Sequence, residues 1–96
     1  MAHKSISGPE LRRLERILKG VANHRRLEIL GLLVRVPELS VADISERLDI
    51  GYINASDHIR KLALAGLVLK RSDGNMVRHK ITARGISILE FCKILE

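Results

Sequence analysis

Between Ile44 and Val68 the chain reads ISERLDIGYINASDHIRKLALAGLV, and this stretch restricts the available folds more than any other. Ile44, Leu48, Ile50, Ala55, Ile59, Leu62 and Leu67 keep helical spacing on either side of a break at residues 49–53, so two short helices sharing one core are predicted. That is the outline of a helix-turn-helix. Ser45 falls where the first helix must pass close to the second, Asp49 at the corner where positive φ is favoured, and Ala55 where the second helix packs tightly. The outward positions of the second helix are then Gly51, Tyr52, Ile53, Asn54, Ser56, Asp57 and Arg60, the end that enters a DNA major groove in this docking mode. An ordinary αα corner would show the same spacing.

The flanking segments have their own punctuation. Ser7 and Glu10 form a capping box with Pro9 in the first turn, opening a helix to about Gly20 whose stripe is Leu11, Leu14, Leu18 and Val21. Arg12, Arg13, Arg16 and Lys19 project elsewhere, as on an ordinary solvated face. Asn23 caps a second helix over His24 to Val36, expected to bury Leu27, Leu30, Leu33 and Val34, with Ile29 and Leu32 widening the apolar face, before Pro37 stops it. Ser40 and Asp43 make a shorter capping box for the third helix.

After Gly66, which is expected to supply a helix C-cap, the period changes. LVLKRS and NMVRHKI around Asp73-Gly74 read as two strands and a tight turn. This hairpin carries Lys70, Arg71, Arg78, His79 and Lys80, the cation density of a phosphate-tracking wing, although charged edge strands also discourage aggregation. Thr82 caps a last helix bearing Ile86, Ile88, Leu89, Phe91, Cys92, Ile94 and Leu95, too many apolar residues for one buried stripe. The expected fold is mainly α with a small β-hairpin, a winged helix-turn-helix in the order α-α-α-α-β-β-α. Residues 1–96 read as one domain: a tail over 1–6, dimerisation helices over 7–20 and 82–96, the helix-turn-helix over 40–66 and the wing over 67–81.

Composition narrows the partners. A formal charge of +6 suits a polyanion, and with only Tyr52 and Phe91 aromatic, binders that stack single-stranded bases on several rings are disfavoured. The single cysteine excludes an intrachain disulfide, and no apolar run is long enough for a signal peptide or a spanning helix, so a soluble cytoplasmic protein without a membrane partner is expected. Neither a glycine-rich phosphate loop nor a cysteine beside His and acid nor paired carboxylates point to catalysis, so no enzyme activity is expected.

The sequence resembles the ArsR/SmtB winged-helix regulators of prokaryotes over roughly residues 11–95. GVANHRRLEILGLL is similar to the family's ADPTRL-containing helix, with Asn23 at the capping position, His24 in place of Pro, and Arg26 and Leu27 matching; ELSVADISERLDI is similar to the helix before the turn. ASDHIRKLALAGLV resembles the reading helix and its exit through His58, Leu62, Ala65, Gly66, Leu67 and Val68, and ITARG resembles the joint after the wing. The resemblance implies a homodimer paired through its first and last helices, with Leu11, Leu14, Leu18, Ile86, Leu89, Cys92 and Leu95 at the interface, reading a roughly palindromic duplex site.

The family's metal positions hold other residues here. Ser40 and Ala42 stand where thiophilic-metal sensors carry cysteines, the last helix offers only Glu90, Cys92 and Glu96, and the histidines at 3, 24, 58 and 79 have no paired spacing. No metal or other cofactor is expected, and no effector is indicated. His58 is expected to be half-buried and hydrogen-bonded, and Cys92 to act as a small apolar residue or, near a dimer axis, as a redox-sensitive crosslink.

The expected function is that of a sequence-specific duplex-DNA-binding regulator, a dimeric repressor. Lys70, Arg71, Arg78, His79 and Lys80 would grip phosphates, Tyr52, Asn54, Ser56 and Arg60 would read or position bases, and Lys61 would assist them. Asp57 either accepts from a cytosine N4 or pairs with Arg60 or Lys61. The competing expectation is a protein-interaction module for an acidic partner, to which exposed Ile53 would contribute an anchor.

Overall fold

The computed structural model describes residues 5–96, so most of the expected tail, together with His3, lies outside the described residues. The elements are α1 (Gly8–Val21), α2 (His24–Arg35), α3 (Val41–Leu48), α4 (Tyr52–Leu64), β1 (Val68–Asp73), β2 (Met76–Ile81) and α5 (Ala83–Leu95), which is the expected order. Local chemistry sets most boundaries. Capping boxes at Ser7/Glu10 and Ser40/Asp43 open α1 and α3, the Asn23 side chain accepts from the N–H groups of Arg25 and Arg26, and Thr82 caps α5 through the Gly85 N–H.

The core is built from α2, α3, α4 and the base of the hairpin. Ile29, Leu30, Leu33, Ile44, Ile59, Leu62 and Leu67 are at most 1% exposed, and Leu48 and Ile50 pack on its margin. Asp49 takes φ 52° and ends α3, as its position at the corner predicted, while the Ser45 hydroxyl donates to the Ile50 carbonyl across the turn. The break between α3 and α4 is shorter than expected. Gly51 is the N-cap of α4, so Tyr52 and Ile53 lie inside its first turn.

Two further expectations change, and one contact is added. Val34 is 51% exposed, because the face of α2 centred on Leu30 and Leu33 already meets the core and Val34 is turned toward α5. The hairpin pairs Asp73 with Met76, so its two-residue turn is Gly74-Asn75 rather than Asp73-Gly74. Gly74 at φ 61° takes the positive angle at the first central position, the pattern of a type II′ turn. Finally, Leu39 bridges His79, with the Glu38 N–H donating to the His79 carbonyl at 2.9 Å and the His79 N–H to the Leu39 carbonyl at 2.9 Å. The α2–α3 connection thereby adds a short third edge to the wing.

α1 leans on the rest of the molecule through its C-terminal half. Val21 is buried and Ile17 packs on the core, whereas Leu11, Leu14 and Leu18 remain exposed. Gly20 permits the approach: a Cβ there would lie 2.5 Å from the Ala65 Cβ, so only a residue without a side chain lets α1 touch the end of α4.

Candidate nucleic-acid interface

On α4 the helical period separates two faces. Ala55, Ile59 and Leu62 are buried, and Tyr52, Ile53, Asn54, Ser56 and Arg60 are exposed, with Ile53 at 83%. Tyr52, Ile53, Ser56, Asp57 and Arg60 surround a shallow hollow of about 290 Å³. In the free chain Asp57 is paired within its own helix. Its carboxylate accepts from Arg60 Nη2 at 2.8 Å and from Lys61 Nζ at 3.0 Å, and those two partners pull its pKa down to about 2. An acid on a surface for polyanions is thus covered by two cations on its own helix.

The wing stands beside the first turn of α4. Tyr52 shares a concavity of about 390 Å³ with Lys70, Asn75 and Met76 of the hairpin and Ser40 and Ala42 at the start of α3. Ser40 and Ala42 therefore line the junction between the helix-turn-helix and the wing, on the side of Tyr52.

The hairpin cations do not act as one group. Residues directly opposite in an antiparallel pair share a face, so Lys70 lies on the face of His79, and Arg71, Arg78 and Lys80 lie on the other. His79 is the clear correction among the expected phosphate contacts. It is 1% exposed, and its Nδ1 lies 2.8 Å from the Leu39 carbonyl, which only accepts, so Nδ1 carries the proton. Burial holds its pKa below the ordinary histidine value despite that bond, so His79 is a neutral structural residue at pH 7. Alternation along β2 turns it inward, where Leu39 covers it.

Two arginines of the outer face are already engaged. Arg71 donates to one Glu38 carboxylate oxygen from Nε at 3.1 Å and Nη2 at 2.9 Å, and Glu38 raises its pKa. Arg78 pairs with Asp73 at 2.6 Å and donates to the Glu38 carbonyl at 3.1 Å, and it lowers the Asp73 pKa. Lys70 and Lys80 have no acidic partner among the described residues. Glu38 was not foreseen as part of this surface. It follows Pro37 with φ 70°, and no sequence pattern signals a contact with an arginine 33 positions away.

His58 is half-buried as expected, but its Nδ1 has no hydrogen-bond partner among the described residues. Burial and, second, the charge of Arg26 depress its pKa. On α5, Leu89 and Cys92 are partly covered and, with Ile86 and the exposed Val34, border a groove of about 740 Å³ between α2 and α5. Leu95 is fully outside it at 68% exposure. Among the described residues no three His, Cys, Asp or Glu side chains cluster to hold a metal ion, and no helix is long and apolar enough to cross a membrane.

Comparison with known proteins agrees with this geometry. Residues 23–85 match the winged helix DNA-binding domain family. A protein of Halobacterium salinarum that bears the name arsenical resistance operon repressor is 34% identical over 86 residues, which span 88% of this chain and 67% of that protein. The transcriptional activator HlyU of Vibrio cholerae is 34% identical over 73 residues, covering 76% of this chain and 67% of its own length. Its solved structure superposes with a TM-score of 0.78 over 93% of this chain and 97% of that one, at 30% identity. A homodimeric winged helix-turn-helix DNA-binding domain from Mycobacterium bovis, a possible ArsR-family regulator, reaches a TM-score of 0.82 at 28% identity over 99% of this chain and 89% of that one. An exposed reading helix beside a basic hairpin, on a scaffold shared with these regulators, places the chain in the winged-helix DNA-binding family, as an ArsR-like transcriptional regulator.

Proposed function

We propose that the protein represses transcription as a homodimer seated on a two-fold duplex site, one α4 in each of two successive major grooves. The observation that carries this reading is the uncovered N-terminal half of α4, flanked by the wing, in a chain of this family. A two-fold protein requires half-sites about 10 base pairs apart.

Tyr52, Asn54, Ser56 and Arg60 contact base edges, and Ile53, with its side chain in solvent, packs on a thymine methyl. Lys61, Lys70 and Lys80 hold phosphates; Arg71 and Arg78 do so only by exchanging Glu38 and Asp73 for DNA oxygens. Asp57 keeps Arg60 and Lys61 in place and does not read a base. The subunits join through Leu11, Leu14 and Leu18 of α1 and Ile86, Leu89, Cys92 and Leu95 of α5. Five of these seven are more than 40% exposed in the single chain, more apolar surface than one isolated side chain would leave.

Repression requires only that the bound dimer exclude the transcription machinery, and the Halobacterium relative carries a repressor's name. The protein acts in the cytoplasm, and neither catalysis nor a metal ion enters this mechanism. Selection of bound sequences from a random duplex library tests it. A palindromic consensus is expected; no enrichment at low salt, or binding indifferent to salt, overturns the reading.

A further inference from the structure

Between the C-terminal halves of α1 and α4 runs an open crevice of about 340 Å³, lined by Arg16, Lys19, Arg26 and Lys61, with the Gly20–Ala65 contact at its floor. Two of these cations have an ordinary explanation. Lys19 and Lys61 stand in the last turns of their helices, where a positive charge balances the carbonyl ends, and each has an acid nearby, Glu15 at 3.5 Å and Asp57 at 3.0 Å. Arg16 sits on the solvated face of α1, but Arg26 has no such explanation. Arg26 stands in the first turn of α2, which holds no acid and where the helix dipole already disfavours a cation. Its Nε is shielded from solvent without an acceptor, and neither it nor Arg16 has an acidic partner among the described residues. A guanidinium NH buried without an acceptor is costly, and a nearby anion offsets that cost.

We propose that this crevice is an anion site for a phosphoryl group, bound between Arg16 and Arg26 with Lys19 and Lys61 at its rim. Arg16 and Arg26 have no acidic partner among the described residues, and two such guanidinium groups suit a phosphate monoanion or dianion. Asp57 joins the crevice to the reading face, since it accepts from both Lys61 and Arg60. The phosphoryl group therefore has two sources, free phosphate or a backbone phosphate of the duplex flanking the base-reading turn.

The Arg26 Nε–Hε resonance in the full chain distinguishes them. Inorganic phosphate, titrated against sodium chloride at matched ionic strength, moves this signal if the group is free; a random-sequence duplex alone moves it if the group belongs to DNA. In either case Arg16→Gln, at an exposed side chain without bonds among the described residues, weakens the responding titration by about tenfold, the worth of one charge-assisted hydrogen bond. Arg26→Gln, read through the backbone amides of Gly20 and Ala65, gives the same loss. A signal that answers neither phosphate nor duplex, or answers chloride equally, overturns the site. A duplex that shifts Ser56 while Arg26 answers neither it nor phosphate overturns the site too, and leaves DNA reading by α4 intact.

Discussion

α4 and α5 are each 13 residues long and differ in outward chemistry, mixed polar and apolar on α4 and mainly apolar on α5. α4 buries Ala55, Ile59 and Leu62 and turns Asn54, Ser56 and Arg60 to solvent beside the exposed Tyr52, Ile53 and Leu64. α5 buries only Gly85 completely and leaves Ile86, Phe91, Ile94 and Leu95 in the open, Ile94 at 80%. A polar outward face remains stable in water until a partner with hydrogen-bonding edges arrives, whereas an apolar one gains by staying covered. Under the proposed function the two helices serve different partners, α4 a hydrated duplex and α5 another protein surface. Composition alone hides this contrast, because both helices are rich in Ile and Leu.

The contrast breaks most severely at the inward face of α4. Leu62→Ala should lower unfolding free energy by about 2–5 kcal/mol, since the residue is wholly enclosed, and urea denaturation will read the loss. Next in size is Phe91→Glu with Leu95→Glu. Four carboxylates brought together across a dimer cost several kcal/mol, so sedimentation should show monomers at concentrations where the parent chain is dimeric, with helical circular dichroism retained. A double variant that stays dimeric removes α5 from the interface.

On the outward face of α4, Arg60→Ala should cost about 1–3 kcal/mol of binding and relax preference at one position of the selected consensus. Lys80→Ala on the wing should instead weaken binding to all sequences alike and lower the salt slope by about one.

The smallest effect is a dependence on pH. His58 on α4 and His79 on β2 both have pKa values below 6.5 in the folded chain, chiefly through burial. Between the folded value and 6.5 the unfolded chain binds more protons, so stability is complete above that window and falls as pH drops through it. The urea midpoint should therefore be lower at pH 5.5 than at pH 7.5, and His79→Gln should flatten the difference. The acids with lowered values, Asp43, Asp57 and Asp73, lose their contributions only as pH falls below about 4, outside that comparison.

Much of the fold was legible because its signals are local. The capping boxes of α1 and α3, the Asn23 and Thr82 caps, the left-handed corner at Asp49 and the enclosed Ala55 each depend on residues a few positions apart, and all occur where the spacing implied. The interface was only partly legible. Tyr52, Ile53 and Ser56 are displayed as the period required, but along the sequence the hairpin cations form a single block of charge. Alternation divided it, and burial removed His79 from it.

The sequence by itself determined where helices begin and end, which face of α4 turns inward, and that a basic hairpin follows it. Caps and periodicity act within one or two turns, so a single chain segment carries them. Only the tertiary structure decided that Glu38 holds Arg71, that Leu39 covers His79 from 40 residues away, and that Gly20 and Ala65 bring Arg16, Lys19 and Lys61 around one crevice. These are meetings between distant segments, set by how whole elements pack, and charge or hydrophobicity read along the chain carries no record of them.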